Sequence, residues 1–413
     1  MLDLIIRQAR LLDGQIVDIG ISQGKISKIA PDLAANGQTE LQAEAQLTIP
    51  AFVNGQLHAC KSFWRRLLPA DQPTSSMQER FAAAKLVKQQ YTADDVFTRV
   101  DETIRLAIQH GTCGIRLFGD VDEDSGVSAI EGLLRVKEKY AEFLTVQVVA
   151  FPQDGVLNPA TQDLMRTALE LGADVVGGIP WIEPNEAAQA EHVAMCFDLA
   201  KAFDRDLHFV CDDVADPTVR SLEMVARQTL TQGWQGRVCA TQCAALSFYP
   251  DAYAETVINI LKEAEITIFS NSHVSLIATD FDQTKHPWPR SITRVRQLLS
   301  AGVPVACGQD DIDNWFYPFG RNDMLEVAQF MAHNGQFGWA GEVNQVLPLV
   351  TDTPAQVLQL PDYGLYEGAV ANVVVLAAQD WHEAIQFQGD KRFVVLRGQL
   401  VAQSKTNVEI LIT

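Results

Sequence analysis

The 413-residue chain carries 52 Asp and Glu against 32 Lys and Arg, a formal net charge of −20, with 47% hydrophobic and 20% charged residues. That hydrophobic fraction can fill a large core and excludes wholesale disorder, while the acid excess argues against a nucleic-acid partner, which needs Lys and Arg for its phosphates. No run of about 18 apolar residues occurs, so no membrane span is expected.

The charged opening MLDLIIRQARLLDG reads as a strand rather than a signal peptide. Residues 1–49 alternate through Leu2, Leu4 and Ile6, Val17, Ile19 and Ile21, then Ile26 and Ile29, with breaks at Asp13-Gly14 and Gly24. Period two with hairpin punctuation predicts short antiparallel strands. Residues 369–378, 391–403 and 408–412 repeat that pattern near the other end. The two ends are therefore expected to build one small β-sandwich domain, residues 1–49 with 360–413.

Between them, over 50–359, apolar runs recur at roughly thirty-residue intervals, each followed by a helical stretch. Strands are predicted at 47–58, 112–118, 144–151, 173–179, 207–213, 237–241, 267–271 and 303–308. Thr92-Ala93-Asp94-Asp95 resembles a capping box, and Gly111 stops the helix it begins. Asp216-Pro217 starts another and Gly233 ends it. Eight such units predict an α/β chain with a (β/α)8 barrel, whose chemistry belongs at the C-terminal strand ends.

The seven cysteines, Cys60, Cys113, Cys196, Cys211, Cys239, Cys243 and Cys307, are scattered and form no CxxC pair. They read as buried thiols in a reducing cytoplasm rather than a structural zinc site. The polar strand ends are Gln56-Leu57-His58, Gln153-Asp154, Asp212-Asp213, Thr241-Gln242, Asn271-Ser272-His273 and Gln309-Asp310-Asp311, with the aromatic run Trp315-Phe316-Tyr317 beyond the last. Gln56 and His58 are two apart and so share a face.

The blocks VVAFPQDG (148–155), LGADVVGGIP (171–180), SITRVRQLLSAG (291–302), GQDD (308–311), YPFG (317–320) and ANVVVL (371–376) resemble the cytosine-deaminase branch of the amidohydrolase superfamily, nearly end to end. The resemblance implies a distorted TIM barrel with a composite β-sandwich. It also implies deamination or C–N hydrolysis of a small heterocycle by a metal-activated water.

The departures are concentrated at the metal positions. The family's His-x-His reads Gln56-Leu57-His58, and its His-Cys-Asp-Glu reads Val210-Cys211-Asp212-Asp213. Gln242 replaces the strand-six His, Gln309 a further His, and Asp310 is retained. Of four implied ligands, His58 and Asp310 remain. A catalytic zinc or iron normally takes three or more protein ligands and keeps a position for water. Val210 has no donor atom, and Asp213 reaches about 1 Å less far than Glu, a misplacement that can cost about a hundredfold in rate. Loss of the metal is therefore expected.

The resemblance gives Gln153 to the amide edge of a planar ligand, which its donor and acceptor suit, and Trp315 and Phe316 to stacking on it. Gln242 and His273 are further candidates for ligand contact, and Trp181 makes the pocket wall bulkier. Asp310, His58 and Asp213 are the candidate catalytic groups, suited to proton transfer. His208, two before Val210 and about 6.6 Å deeper, reads as a core histidine. Two other readings stay open: an active metal-dependent deaminase or C–N hydrolase holding zinc or iron through His58, Asp310 and His273 or Cys60, and a silent binding or scaffold subunit. The expected partner is a small heterocycle; the sequence leaves self-association open.

Overall fold

Gly14 and Gly24, both at positive φ, turn the chain through two hairpins. These join β1 (Leu2–Arg10), β2 (Ile16–Ser22) and β3 (Lys25–Ala30); β4 (Gly37–Gln42) then pairs with β1 in parallel, where an all-antiparallel set was expected. The computed structural model describes residues 1–69, 71–72, 77–277, 291–339 and 341–411.

The predicted run 47–58 divides between two sheets. Its first part, β5 (Thr48–Pro50), lies in a terminal sheet, and its second, β6 (Phe52–Leu57), opens the barrel. Consecutive backbone donors make the switch: Ala51 N–H goes to Asn372 O at 3.0 Å and Phe52 N–H to Gly111 O at 2.8 Å. An apolar run read by periodicity alone does not reveal which sheet each residue pairs with.

The barrel continues through β7 (Thr112–Asp120), β8 (Thr145–Phe151), β9 (Val175–Gly178), β10 (Asp206–Cys211), β11 (Val238–Gln242), β12 (Thr267–Phe269) and β13 (Val305–Ala306). Neighbours are parallel and in chain order, and every predicted barrel strand overlaps one observed. The ring closes by a bridge between Leu57 and Asp310. Close approach demands glycine at two places: a Cβ on Gly55 would lie 2.1 Å from the Phe269 ring, and one on Gly308 would lie 2.6 Å from Gln56 O.

The later strands β14 (Val373–Leu376), β15 (Lys391–Leu396) and β16 (Gln399–Gln403) join β5 in the order β16-β15-β14-β5. Arg397 and Gly398, both at positive φ, split the predicted 391–403 run into a hairpin. The predicted strand 408–412 is absent over 408–411, which pair with nothing in a sheet, and Ile412 lies outside the described residues. Leu4, Ile6, Val17, Ile19 and Ile21 from one terminal sheet pack against Val373, Val375 and Val395 from the other, so both ends of the chain contribute to one sandwich core.

Thr92 caps the helix Ala93–Gln109 by accepting Asp95 N–H, and Gly111 follows its end, as expected. The next expectation needs correcting. Asp216 serves only a local turn with Thr218, and the helix Ser221–Gln232 starts later. Its first amides, on Ser221 and Leu222, donate to Asp212 at 2.9 and 3.0 Å. A buried carboxylate just beyond strand β10 thus meets the positive end of the helix. Among the described residues no helix is long and apolar enough to cross a membrane.

Candidate functional site

The barrel's closing strands carry the site. His58 follows β6 and heads the short turn Ala59–Lys61; Asp310 follows β13 with a left-handed backbone, φ 65°. Gln242, at the end of β11, has the same φ of 65°. Such conformations cost on the order of 1–3 kcal/mol each outside glycine and collect where side chains must be aimed.

Here both aim at one another. Gln56 Nε2 donates to Asp310 Oδ1 at 2.9 Å, and Gln242 Nε2 donates to Asp310 Oδ2. Gln56 Oε1 accepts from the Thr241 hydroxyl and from Asn271 Nδ2 at 2.8 Å. Asn271 Oδ1 accepts Gly308 N–H at 2.8 Å. Gln56 and Gln242, which stand where the family resemblance implies histidines, are therefore built into a buried amide network centred on Asp310.

Burial, with the nearby carboxylates of Asp311 and Asp213, pushes the Asp310 pKa well above the ordinary carboxylate value; Gln242 and Lys61 pull it down. The upward push wins because neither pull comes from a paired cation in contact. Gln242 Oε1 is buried without a hydrogen-bond donor. Asp213, half-buried beyond β10, reaches this centre through its charge.

His58 is buried between the rings of Phe118 and Phe151, at centroid distances of 5.0 and 5.1 Å. Burial first, then Lys61 and His208, hold its pKa well below the usual value, so it is neutral. Lys61 Nζ lies 3.3 Å from His58 Nδ1. An ammonium only donates, so the imidazole proton sits on Nε2, 3.7 Å from Asp310 Oδ1. Val210 lies in an apolar cluster with Phe118, Val149, Phe151, Val175 and Ile179, joined by Trp181. Where the family resemblance implies an imidazole, the barrel mouth is hydrocarbon.

Lys61 is the candidate site residue that sequence reasoning missed. Its ammonium is buried, donates to Gln153 Oε1, and lies 3.5 Å from Asp120 Oδ1. It stands 5.6 and 5.8 Å from the ring centres of Phe151 and Phe316. Asp120 is fully buried and neither oxygen has a hydrogen bond; burial pushes its pKa up, and Lys61 and Lys88 pull it down. A lysine three residues after a strand-end histidine in an otherwise apolar stretch was the available signal, since buried lysines are rare without a partner.

Lys61, Gln153 and Phe316 line one cavity of about 230 Å³ with Trp64, Phe81 and Lys88. Of the ligand-contact candidates, Gln153 and Phe316 share this cavity. Asp310 does not line it and is reached through Lys61 and His58. Trp315 is not part of its lining and packs against Trp64, the ring centres 5.4 Å apart and the planes tilted by 40°.

His273 is placed differently from its expected role. Its Nε2 lies 2.9 Å from Gln309 O, and its ring packs against Tyr317 and Phe330. None of these contacts reaches the amide network. His208 lies deep, with Nδ1 3.2 Å from the buried Arg116 and its ring against Phe118 and Phe269. Cys60 Sγ accepts Asp120 N–H at 3.4 Å, and burial pushes its thiol up to about 12.

Among the described residues, Asp122, Asp124 and Asp154 form the one group of three His, Cys, Asp or Glu side chains with ligand atoms mutually within 4.8 Å. The Lys88 ammonium already donates to Asp122 and Asp154 at 2.7 and 2.6 Å.

The sequence model of the Amidohydrolase family matches residues 70–402. N-isopropylammelide isopropyl amidohydrolase of Pseudomonas sp. (strain ADP) is 28% identical over 420 residues, covering 98% of both chains. The pterin deaminase of Rhizobium rhizogenes (strain K84 / ATCC BAA-868) is 27% identical over 94% of this chain and 88% of its own. The crystal structure of 5-methylcytosine deaminase from Klebsiella pneumoniae with 5-fluorocytosine superposes with a TM-score of 0.90 at 29% identity, over 98% of this chain and 99% of that one.

Proposed function

The chain belongs to the amidohydrolase family, and from that premise we propose that it binds a small planar nitrogen heterocycle at the barrel mouth with metal-activated-water chemistry lost. One observation carries the reading: side-chain amide N–H groups stand on both oxygens of Asp310, from Gln56 and Gln242. Each brings partial positive charge to the place a cation would have to occupy.

The residues present do not fit a transition metal. His58 and Asp310 offer two donors, Val210 offers none, and His273 is directed at a backbone carbonyl. Two protein ligands rarely hold zinc or iron against buffer. Without the metal, water keeps a pKa near 15.7 rather than about 7. What remains is acid–base chemistry: Asp310, its pKa pushed up by burial, a neutral His58 linked to Lys61, and Asp213 can hold or pass protons.

Ligand binding is supported by the cavity. Gln153 and Lys61 supply polar contacts at one end, and the Phe316 ring supplies a stacking face. The relatives named for deamination and amide hydrolysis give the substrate class to screen. The test is calorimetric titration with pyrimidines, triazines and pterins, run beside elemental analysis. Binding of one such ring by metal-free protein, weakened at least tenfold in Gln153→Ala, is expected. One zinc or iron per chain, lost in His58→Ala, would instead establish the metal-dependent enzyme; metal-free protein that binds none of these rings would leave the scaffold reading.

A further inference from the structure

An ammonium carries three N–H bonds and no acceptor. The buried Lys61 Nζ has three protein partners. It lies 3.3 Å from His58 Nδ1 and 3.5 Å from Asp120 Oδ1, and it donates to Gln153 Oε1. Three partners stand against three N–H bonds, so the influence of Lys61 on a hydrogen-bonded ligand runs through Gln153.

The Gln153 side chain offers one acceptor and one NH2 group. Lys61 occupies the acceptor, and among the described residues the amide nitrogen donates to no protein atom. Gln153 lines the cavity, so the NH2 group is what it has left to give a ligand. Turning the amide over would set that NH2 against the buried ammonium, donor against donor, and would break a charge-assisted hydrogen bond, the stronger kind. The backbone holds the side chain in place as well. Gln153 N–H donates to Phe151 O at 3.0 Å, and Gly155 N–H closes the turn onto Pro152 O at 2.9 Å.

The two carboxylates that also line the cavity each carry a lysine: Lys85 stands 3.4 Å from Asp124, and Lys88 donates to Asp154 at 2.6 Å. The Gln153 end is therefore where the edge of a neutral ring is read, and it reads with donors. A C(=O)–NH edge, which the sequence resemblance assigns to this glutamine, would bring an N–H to an amide whose acceptor is already taken.

We propose that Lys61 is a positioning residue that fixes the Gln153 amide with its NH2 toward the cavity, so that the site selects rings whose facing edge carries acceptors alone, an oxo oxygen beside an unprotonated ring nitrogen, over rings with an N–H on that edge. This rests on the heterocycle-binding reading above and narrows its ligand class.

The probes are 1-methylpyrimidin-2-one, whose O2 and N3 are both acceptors, and 1-methyluracil, whose N3 carries a proton. Calorimetric titration of the full chain should show the first binding at least about tenfold more tightly, because a polar group left unpaired in a closed site is costly. Gln153→Glu keeps a partner for Lys61 and turns an oxygen to the cavity, so the preference should reverse. In Lys61→Met combined with Asp120→Asn the amide is free to turn, and the preference should fall below about threefold, a change that lost stability alone would not produce. Equal affinity for the two rings, or a preference that survives either Gln153→Glu or the double substitution, would overturn the inference while leaving ring binding intact. If neither ring binds, the inference falls, and the wider screen of pyrimidines, triazines and pterins decides the reading beneath it.

Discussion

His58 and Asp310 are joined through their backbones: His58 N–H donates to Asp310 O at 2.6 Å, and Asp310 N–H returns to Gln56 O at 3.0 Å. The contact that shuts the barrel is thus the contact that sets the candidate site. A change in how β6 meets the segment after β13 moves both together.

The Asp310 side chain gives a pH signature. Its folded pKa is raised above the unfolded value of about 3.9. The native state then holds the proton longer than the unfolded one. The resulting stability is complete below about pH 4 and is lost as pH rises through the folded value. Asp310→Asn mimics the protonated form and should be the more stable protein at pH 8, by about 1–3 kcal/mol. Urea unfolding at pH 5 and pH 8 measures this; a variant less stable than the parent at pH 8 would show that Asp310 is ionised.

Lys61 and Asp120 should fail singly and recover as a pair. Lys61→Met leaves a fully buried carboxylate whose oxygens have no hydrogen bonds, a loss of about 3–5 kcal/mol. Adding Asp120→Asn should restore at least half of that. Ligand binding should stay weak in both variants, because the ammonium at the cavity is gone. Thermal unfolding and titration of the same samples separate the two effects, and equal loss of stability in single and double variants would argue against the pairing.

His273 predicts acid sensitivity. Burial lowers its pKa to about 4 from an ordinary value of 6.5, against a smaller upward pull from the Gln309 carbonyl. The unfolded chain therefore takes up the proton first. The stability from this group is present above about pH 6.5 and is lost as pH falls toward 4, a change on the order of 3 kcal/mol. His273→Gln should flatten unfolding free energy against pH over that interval by close to one proton. An unchanged slope would mean that His273 titrates alike in both states.

Chelation should do nothing. With the side-chain amides of Gln56 and Gln242 donating to the two oxygens of Asp310, overnight dialysis against a strong chelator is expected to leave both melting temperature and heterocycle affinity unchanged. A fall of several degrees, reversed by zinc, would contradict this.

The barrel was legible because each strand is a separate apolar run with its own helix behind it, and the period needs no knowledge of partners. The sandwich was legible in composition but not in pairing. Nothing in the residues of 47–58 marks Ala51 as the switch between sheets, since that depends on Asn372 and Gly111 arriving beside it. At the site, the substituted positions Gln56, Val210 and Gln242 were readable one at a time as losses. Their joint meaning was not, because a glutamine's role depends on which carboxylate it faces, and that is fixed by barrel closure. His273 drew attention as a titratable strand-end residue, whereas the neighbouring Asn271, two bonds into the network, did not. Lys61 was passed over because lysine is ordinarily a surface residue.

Pro50 pairs with Val373, about 320 residues further along the chain. At ribosomal rates of 5–20 residues per second, β5 waits roughly 15–65 s for β14 to emerge. Throughout that interval the inner face of the first sheet, with Ile6, Ile19 and Ile21, has no covering layer. The nascent chain is therefore sticky for nearly the whole of its synthesis, and its yield should depend on chaperone supply more than on its final stability.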